Sequence, residues 1–421
     1  EELEGELPAL CAQGADDQFD PMAGAEVRRF ERVPPVAGLS ALASAVARGW
    51  SASNNWAVAG RHTASGKPVL SSDPHLPHMS PAMLWGYEME VPGMHLSGFT
   101  IAGVHRVVFG HNGHVAWGAT TNHVDRQDLV VHRLRTETRG GNSIEGYEVE
   151  GRFAPFEYRS ELFEVRGEQP VRATVRFTRD GPLINDLHPE VTGQIPLTAL
   201  RRAPPGRGGD VDASRKMNHA TSTAEFARAL SSTDLGCVTF IFADRAGSIA
   251  LRSPCILPAR EGWRGTFPVP GWLDRYLWGD PYPKEDLPAS TDPARGWLAA
   301  ANSQLIPSSR FPSAYNNDVS PPNRFLRIRS RLQEAIAQGG FTAAASAKIQ
   351  GDVTYERWSR LREELGHGFC VPQTLEGSEL VEKARRVLCA WDGSMGETSV
   401  AATIYVLLTH AVLDRALADE L

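Results

Sequence analysis

The sequence lacks the features of proteins that bind nucleic acids or span membranes. Its 421 residues carry a formal net charge of -7, and no run of Lys or Arg is long enough to follow a phosphate backbone. The most apolar stretch, Val400 to Leu408, is far shorter than the roughly 20 residues of a membrane span. We therefore predict no nucleic-acid partner and no membrane span.

Several short catalytic and metal-binding patterns are also missing. The sequence has no Gly-x-Ser-x-Gly elbow, which argues against a conventional serine triad, and no His-x-x-x-His spacing for zinc on a helix. Its cysteines are scattered without metal spacing, and because their number is odd, at least one is free or bridged outside the chain. The five are Cys11, Cys237, Cys255, Cys370 and Cys389.

What is present is the material of a folded globular protein. Hydrophobic residues make up 42% and charged residues 22%, enough for a sizeable core, in two or three domains or one large layered one. The chain opens at Glu1, without a methionine and without a signal peptide. We expect a piece of a longer precursor.

One stretch, Ser53 to Gly60, suggests a chemistry. A hydroxyl, two amides and an indole open a predicted strand there (Ser53-Asn54-Asn55-Trp56). A serine hydroxyl needs a base within hydrogen-bond reach to become a nucleophile. If the preceding peptide bond were cut, the new α-amine, with a reference pKa of about 7.7 to 8.0, could serve as that base through a water. Ser53 is therefore the candidate nucleophile.

The stretch and the segments after it resemble the catalytic chain of the penicillin acylase family. The matching segments run in order to about Trp391, and they include Thr63-Ala64-Ser65-Gly66-Lys67-Pro68, Ser72-Asp73-Pro74-His75-Leu76, Val107 to Asn122, Gly296 to Ser303, and Pro321-Pro322-Asn323-Arg324-Phe325. The resemblance implies an α+β fold, the four-layer αββα sandwich of N-terminal-nucleophile hydrolases that mature by self-cleavage. It implies a cut between Ala52 and Ser53, with Ser51 as a rival start. Residues 1–52 would then be the end of a smaller chain and its spacer, and residues 53–421 a catalytic core truncated at its C-terminus.

The resemblance also implies the remaining site residues. His75 would line the site, and a histidine there points to the acylases of acyl-homoserine lactones, cephalosporins and lipopeptides. The backbone N–H of Thr121 and the side chain of Asn302 would hold the oxyanion, and Arg324 would orient the site. One departure, Ala102-Gly103-Val104-His105, replaces the usual Pro-Gly-x-Pro near the acyl pocket.

A structural calcium ion is a further expectation. Asp125 and Asp128 place two carboxylates around the backbone carbonyl of Gln127, and such oxygen ligands suit Ca²⁺. The resemblance implies that these three residues bind it and that there is no organic cofactor. The other reading is an exposed acidic turn.

Together these residues predict a hydrolase of carbon–nitrogen bonds in linear amides, acting on a small amide through a Ser53 acyl-enzyme. The alternatives are an acylase of acyl-homoserine lactones or lipopeptides, a silent uncleaved fragment, and a metal hydrolase built on His111, His114, His123 and Asp125. The resemblance implies a periplasmic or secreted protein, with the smaller chain and the C-terminal part of the precursor as partners.

Three expectations concern secondary structure. Alternating apolar residues predict strands over Asn55 to Ala59 and around the Gly110-His111-Asn112-Gly113 turn. Proline near the start and Gly339-Gly340 at the end bound a helix that begins at Pro321-Pro322. Ala345 to Glu364 is predicted to form one further helix.

Overall fold

In the computed structural model of the chain, the described residues are 52–76, 79–104, 106–188, 193, 195–203, 210–233, 237–305, 322–364, 370 and 379–417. The predicted leader, residues 1–52, lies outside them except for Ala52. No helix within these ranges is both long and apolar enough to cross a membrane.

The strands, in chain order, are β1 (Ala52–Val58), β2 (Val69–His75), β3 (Leu84–Val91), β4 (Met94–Ile101), β5 (Phe109–His111), β6 (Val115–Thr121), β7 (Gln127–Val131), β8 (Leu134–Arg139), β9 (Asn142–Val149), β10 (Arg152–Pro155), β11 (Glu157–Phe163), β12 (Val171–Thr178), β13 (Gly181–Pro182), β14 (Thr198–Arg202), β15 (Val238–Asp244), β16 (Ile249–Arg252), β17 (Ala259–Arg260), β18 (Val269–Pro270), β19 (Trp278–Gly279), β20 (Ala289–Thr291) and β21 (Trp297–Ala300). The helices are α1 (Ile184–Leu187), α2 (Asp210–His219), α3 (Thr223–Ser231), α4 (Asn323–Ala337), α5 (Ala343–Gln350), α6 (Arg357–Glu364), α7 (Glu379–Cys389) and α8 (Val400–Leu417).

Two stacked sheets form the centre of the fold. One has seven strands in the order β20-β16-β15-β6-β5-β4-β3, and the other has three in the order β2-β1-β21. All their pairings are antiparallel. The strands of the β14-β7-β18, β10-β9-β8, β11-β12-β13 and β17-β19 sheets build the remainder around this centre.

The space between the two central sheets is filled by small and branched side chains. Ala57 of β1 and Leu298 of β21 pack against Ile241 of β15 and Leu251 of β16, in one buried cluster. Side chains alternate between the two faces of a strand, so their neighbours along each strand point outward. The sheets can approach closely where Gly118 of β6 presents no side chain toward Ser72.

Each outward face is covered by helices. On the three-stranded sheet, Trp56 and Trp297 pack against Phe325 and Leu332 of α4. On the seven-stranded sheet, the outward neighbours in β6 and β15 pack against α2 and α3, in a cluster formed by Trp117, Phe240, Phe242, Met217 and Phe226. The order helix, sheet, sheet, helix confirms the predicted αββα sandwich.

One predicted helix is broken in two. Instead of a single helix from Ala345 to Glu364, α5 ends at Gln350 and α6 begins at Arg357. Gly351 caps α5, and the backbone at Thr354 then bridges Ser394 as extended chain. The prediction of one helix was wrong because helix propensity alone does not register this long-range backbone pairing.

Candidate functional site

Ser53 lies at the entrance of β1, where the strand passes between β2 and β21. Ser53 is buried, with 6% of its surface exposed to solvent. With the Ala52–Ser53 peptide bond intact, the Ser53 N–H donates to Asn302 Oδ1 at 2.7 Å. The Ser53 hydroxyl donates to the Ala52 carbonyl oxygen at 2.6 Å. The hydroxyl therefore lies against the peptide bond that the sequence predicts to be cut.

Asn302 connects three parts of the site. It follows β21 with a φ of 60°, a left-handed conformation that asparagine tolerates better than most residues, and it is 3% exposed. Its Oδ1 accepts from Ser53 N and from Arg324 Nη2 (3.0 Å), and its Nδ2 donates to the Thr121 carbonyl oxygen at 2.7 Å. Residues 53, 121 and 302, which are far apart in sequence, are thus brought together.

The backbone of Thr121 points toward this site. Thr121 is the last residue of β6 and lies opposite Val238 of β15, and the next amide, Asn122 N, donates to Cys237 O at 3.0 Å. That bond makes Thr121 and Val238 a pair without mutual hydrogen bonds, so the N–H and C=O of Thr121 both point away from β15. The carbonyl is the acceptor for Asn302.

Arg324 reaches the site from the first turn of α4. Its guanidinium donates to the Ser53 carbonyl oxygen (2.8 Å), Asn54 Oδ1 (2.6 Å) and Asn302 Oδ1. Burial lowers the pKa of Arg324, and the charge of Asp73 partly opposes that shift. An arginine keeps its proton even so. Among the described residues, no carboxylate lies within ion-pair distance of it.

His75 lies on the opposite face of the sheet from the Ser53 hydroxyl. Because directly opposed residues of an antiparallel pair share a face, His75 is on the side of Ala52, whereas Ser53 shares its side with Pro74. The His75 Nε2 atom instead contacts Asp73 Oδ2 at 2.9 Å. The hairpin brings His75 to the end of the sheet where Ser53 lies, as predicted, but its ring faces the layer of α4 and α5.

The residues predicted to bind calcium form a separate cluster around Arg260. The guanidinium donates to Asp128 Oδ2 (2.9 Å) and to the Asp125 carbonyl oxygen (3.2 Å), and it is 3.2 Å from Asp125 Oδ1. Trp278 Nε1 donates to the same Asp128 oxygen at 2.5 Å. The Gln127 backbone pairs with Arg202, and its side chain is exposed.

This donor set does not fit the predicted ion. Arg260, whose side chain is fully buried, already supplies a positive charge between the two carboxylates. Gly265 packs so closely against them that no side chain fits there. Asp128 Oδ1 remains without a hydrogen-bond partner in the described part of the chain, but Ca²⁺ takes about six to eight oxygens. The calcium site stays a prediction, and Arg260 argues against it.

The alternative metal hydrolase is not supported by the geometry. His111 and His114 flank the turn before β6, whereas His123 and Asp125 follow its other end. Seven strand residues separate the two groups, which corresponds to roughly 20 Å at about 3.3 Å per residue. No group of three or more His, Cys, Asp or Glu residues in the described ranges is arranged to hold a metal.

Three residues of these clusters were not predicted from the sequence. Asn54 and Asp73 face each other across the β1–β2 pair, next to Ser53, the predicted nucleophile, and strand alternation could have indicated them. Arg260 lies 132 residues beyond Asp128, and no local pattern marks it. The structure also pairs Cys237 with Cys255 and Cys370 with Cys389; Cys11 lies outside the described residues.

Comparison with known proteins agrees with the family resemblance predicted from the sequence. A sequence model of the family described as penicillin amidase matches residues 3–421. An acyl-homoserine lactone acylase QuiP of Pseudomonas fluorescens (strain Pf0-1) is 31% identical over 431 residues, which cover 98% of this chain and 51% of that protein. The penicillin acylase 2 proenzyme of Pseudomonas sp. (strain SE83) is 30% identical, with 86% of this chain and 44% of that protein covered.

The fold has a solved counterpart. A thermostable penicillin G acylase from Alcaligenes faecalis superimposes with a TM-score of 0.65 at 21% identity, covering 82% of this chain and 60% of that chain. The chain spans about half the length of the curated relatives it matches.

Proposed function

Because the chain belongs to the penicillin amidase family, we propose that it is an amidohydrolase that releases an acyl group from an amine through a Ser53 acyl-enzyme. The observation that carries the proposal is the contact of Ser53 with both Asn302 and the Ala52 carbonyl. The Ser53 nitrogen is hydrogen-bonded to Asn302, and the Ser53 hydroxyl is hydrogen-bonded to the carbonyl oxygen of the peptide bond that we propose is cut.

The first step is self-cleavage between Ala52 and Ser53. The Ser53 Oγ adds to the Ala52 carbonyl carbon, the C–N bond breaks, and the serine nitrogen takes up the proton that the hydroxyl loses. Water then hydrolyses the resulting ester to leave a carboxylate on Ala52 and a free amine on Ser53. The contact between the Ser53 hydroxyl and the Ala52 carbonyl oxygen supports this step.

In the second step the freed amine acts as the base. Asn302 Oδ1, which accepts from the Ser53 nitrogen at 2.7 Å, would keep accepting from the amine and direct its lone pair. The unprotonated amine takes the hydroxyl proton through a water, and Oγ attacks the substrate carbonyl. The amine product leaves with a proton, and water hydrolyses the acyl-enzyme.

Two donors stabilise the tetrahedral oxyanion. The side-chain amide nitrogen of Asn302 has two hydrogens, of which the Thr121 carbonyl uses one, so the other is available. The Thr121 N–H points away from β15 on the same side as that carbonyl. Such donors are worth about 3 to 4 kcal/mol each in amide hydrolysis. The guanidinium of Arg324 adds positive charge beside them.

The substrate class is a linear amide with a hydrophobic acyl group and a small amine. An acyl-homoserine lactone is the second candidate, because the relatives that share about 30% identity include proteins named as acylases of that substrate. A periplasmic or secreted location is part of the proposal, and the two disulfides support it because such bonds persist in oxidising compartments.

Intact-mass spectrometry of the purified protein tests the proposal. We expect the wild type to part between Ala52 and Ser53, Ser53→Ala to stay uncut and inactive, and Ser51→Ala, the matched control, to be cut as the wild type is. Hydrolysis is followed with penicillin G and with a medium-chain acyl-homoserine lactone. An uncut wild-type chain that hydrolyses these amides would show that a free Ser53 amine is not the base.

A further inference from the structure

A carboxylate outside the proposed reaction, that of Asp73, bears on the site from the face of the sheet that Ser53 does not use. Asp73 lies in β2 directly opposite Asn54 of β1, and both face the layer formed by α4 and α5. The Asp73 side chain is 18% exposed. It is therefore close to the nucleophile along the strands but separated from it by the sheet.

Three donors hold this carboxylate. His75 Nε2 lies 2.9 Å and Asn54 Nδ2 3.3 Å from Oδ2, and Gln350 Nε2 of α5 donates to Oδ1 at 3.1 Å. Burial raises the pKa of Asp73, but the hydrogen bonds from His75, Gln350 and Asn54 outweigh it, and the pKa falls below its usual value. Asp73 is thus an ionised acceptor near neutral pH.

The contact with Asn54 favours one orientation of that amide. Because Asn54 Nδ2 donates to Asp73, Asn54 Oδ1 faces the opposite way and accepts from Arg324 Nη1 at 2.6 Å. A flipped amide would direct its oxygen at a carboxylate and its NH₂ group at a guanidinium, and both contacts are repulsive. Asp73 therefore favours the same orientation that binds Arg324, and His75 Nε2 lies 3.4 Å from the same Asn54 Nδ2 atom.

Arg324 in turn contacts the residues of the proposed reaction. Its Nη2 donates to Asn302 Oδ1, the atom that also accepts from Ser53 N. With Oδ1 occupied by two donors, the Asn302 amide can direct only Nδ2 toward Thr121 and the oxyanion position. A continuous series of contacts, Asp73–Asn54–Arg324–Asn302, leads from the far face of the sheet to the nucleophile.

We propose that Asp73 is a positioning residue for amide hydrolysis: it orients Asn54 so that Arg324 is held against Asn302 and the Ser53 carbonyl. The proposal rests on the proposed function of Ser53. The isosteric substitution Asp73→Asn is therefore expected to lower kcat, although Asp73 does not touch the reacting atoms. The effect should be on kcat rather than KM, because the substrate gains or loses no contact.

A double-mutant cycle tests the proposal. Asp73→Asn and Asn54→Ala should each lower kcat about tenfold or more, with KM within about threefold, and the double variant should be no slower than the slower single variant. Gln350→Ala, which removes another donor to the same carboxylate, is the matched control and should keep kcat within about twofold. Circular dichroism checks that each variant is folded; should Asp73→Asn fail to fold, Asn54→Ala, which breaks the next contact, carries the prediction.

The outcomes separate this proposal from the proposed function. If the wild type is cut and active but Asp73→Asn keeps full kcat, or if the losses of the two single variants multiply in the double variant, the positioning role is overturned while Ser53 stands. If the wild type is neither cut nor active, both proposals fail. Equal, non-additive losses in kcat support the positioning role.

Discussion

Two arginines of this molecule, Arg260, which is buried, and Arg324, which is partly buried, have opposite surroundings. Arg260 is fully buried and contacts two carboxylates, Asp125 and Asp128, of which the second is also fully buried. Arg324 contacts only carbonyl and amide oxygens, in the described part of the chain. The first charge is neutralised by direct partners, and the second is not.

The surroundings strengthen this contrast. The Arg260 guanidinium also lies over the rings of Trp263 and Trp278, at 5.5 and 5.6 Å from their centroids, and water has no access to it. Arg324 is only partly enclosed, and its partners are dipoles that direct their oxygens at it. An anion forming beside Arg324 would be attracted by a charge that no carboxylate contacts directly, although Asp73 opposes it from the other side of Asn54, whereas the charge of Arg260 is opposed by two carboxylates in direct contact.

Burial of a charged side chain therefore does not by itself mark a catalytic residue. What differs is the charge of the groups that accept hydrogen bonds from each guanidinium: carboxylates for Arg260, and neutral carbonyl and amide oxygens for Arg324. Arg260 joins the segment after β6 to the β17–β19 pair and so secures the chain that follows Thr121. We therefore expect Arg260 to contribute to the stability of the fold and Arg324 to contribute to the proposed reaction.

The largest effect is expected from Arg260→Met. Removing one partner of a buried ion pair leaves an uncompensated carboxylate, at a cost of about 3 to 5 kcal/mol in the free energy of unfolding. Urea denaturation should show this loss, while the fraction that remains folded keeps a near-normal kcat. Arg159→Met, which breaks an exposed pair with Glu157, is the control and should leave the urea midpoint unchanged. A loss of kcat at full stability would reverse the assignment.

A smaller effect, on kcat instead of on stability, is expected from Arg324→Lys. Lysine keeps the positive charge but cannot hold Asn54 and Asn302 with a planar fork, so kcat should fall by about tenfold to a hundredfold, or roughly 1.4 to 2.8 kcal/mol in the barrier. The urea midpoint should change little. Arg327→Lys is the matched control on the same helix, because Arg327 pairs with Asp352 instead. Equal losses of kcat in the two variants would show that Arg324 has no specific role in the reaction.

Much of the fold could be predicted from the sequence, because its signals are local or lie in the order of the motifs. The apolar residues around Trp56 and Trp117 predict strands, and the Pro322 and Gly339 signals bound α4. The family resemblance is confirmed by the match over residues 3–421. It also led to Asn302, whose distance of 249 residues from Ser53 hides the contact from any local pattern.

The details that were missed depend on register and on contacts distant in sequence. That His75 faces α4 and α5 follows only from the pairing of Ala52 with His75, which the turn between β1 and β2 sets. A shift of one residue would place the ring beside the Ser53 hydroxyl instead. Arg260 could not be predicted, because nothing near it in sequence distinguishes a guanidinium that pairs with buried aspartates from one in water.

The smallest effect concerns calcium, and it sharpens the contrast between the two arginines. If Arg260 supplies the charge that the predicted ion would supply, chelation by EDTA or addition of millimolar Ca²⁺ should move the thermal midpoint of the wild type by less than about 1 °C, which corresponds to roughly 1 kcal/mol for a protein of this size. In Arg260→Met, where Asp125 and Asp128 lose their counter-charge, Ca²⁺ should raise the midpoint, and Mg²⁺, which demands a tighter octahedron, should do so less. A wild-type midpoint that drops on chelation and recovers with Ca²⁺ would instead support the original prediction of a bound ion, and Arg260 would then be a neighbour of that ion rather than its replacement.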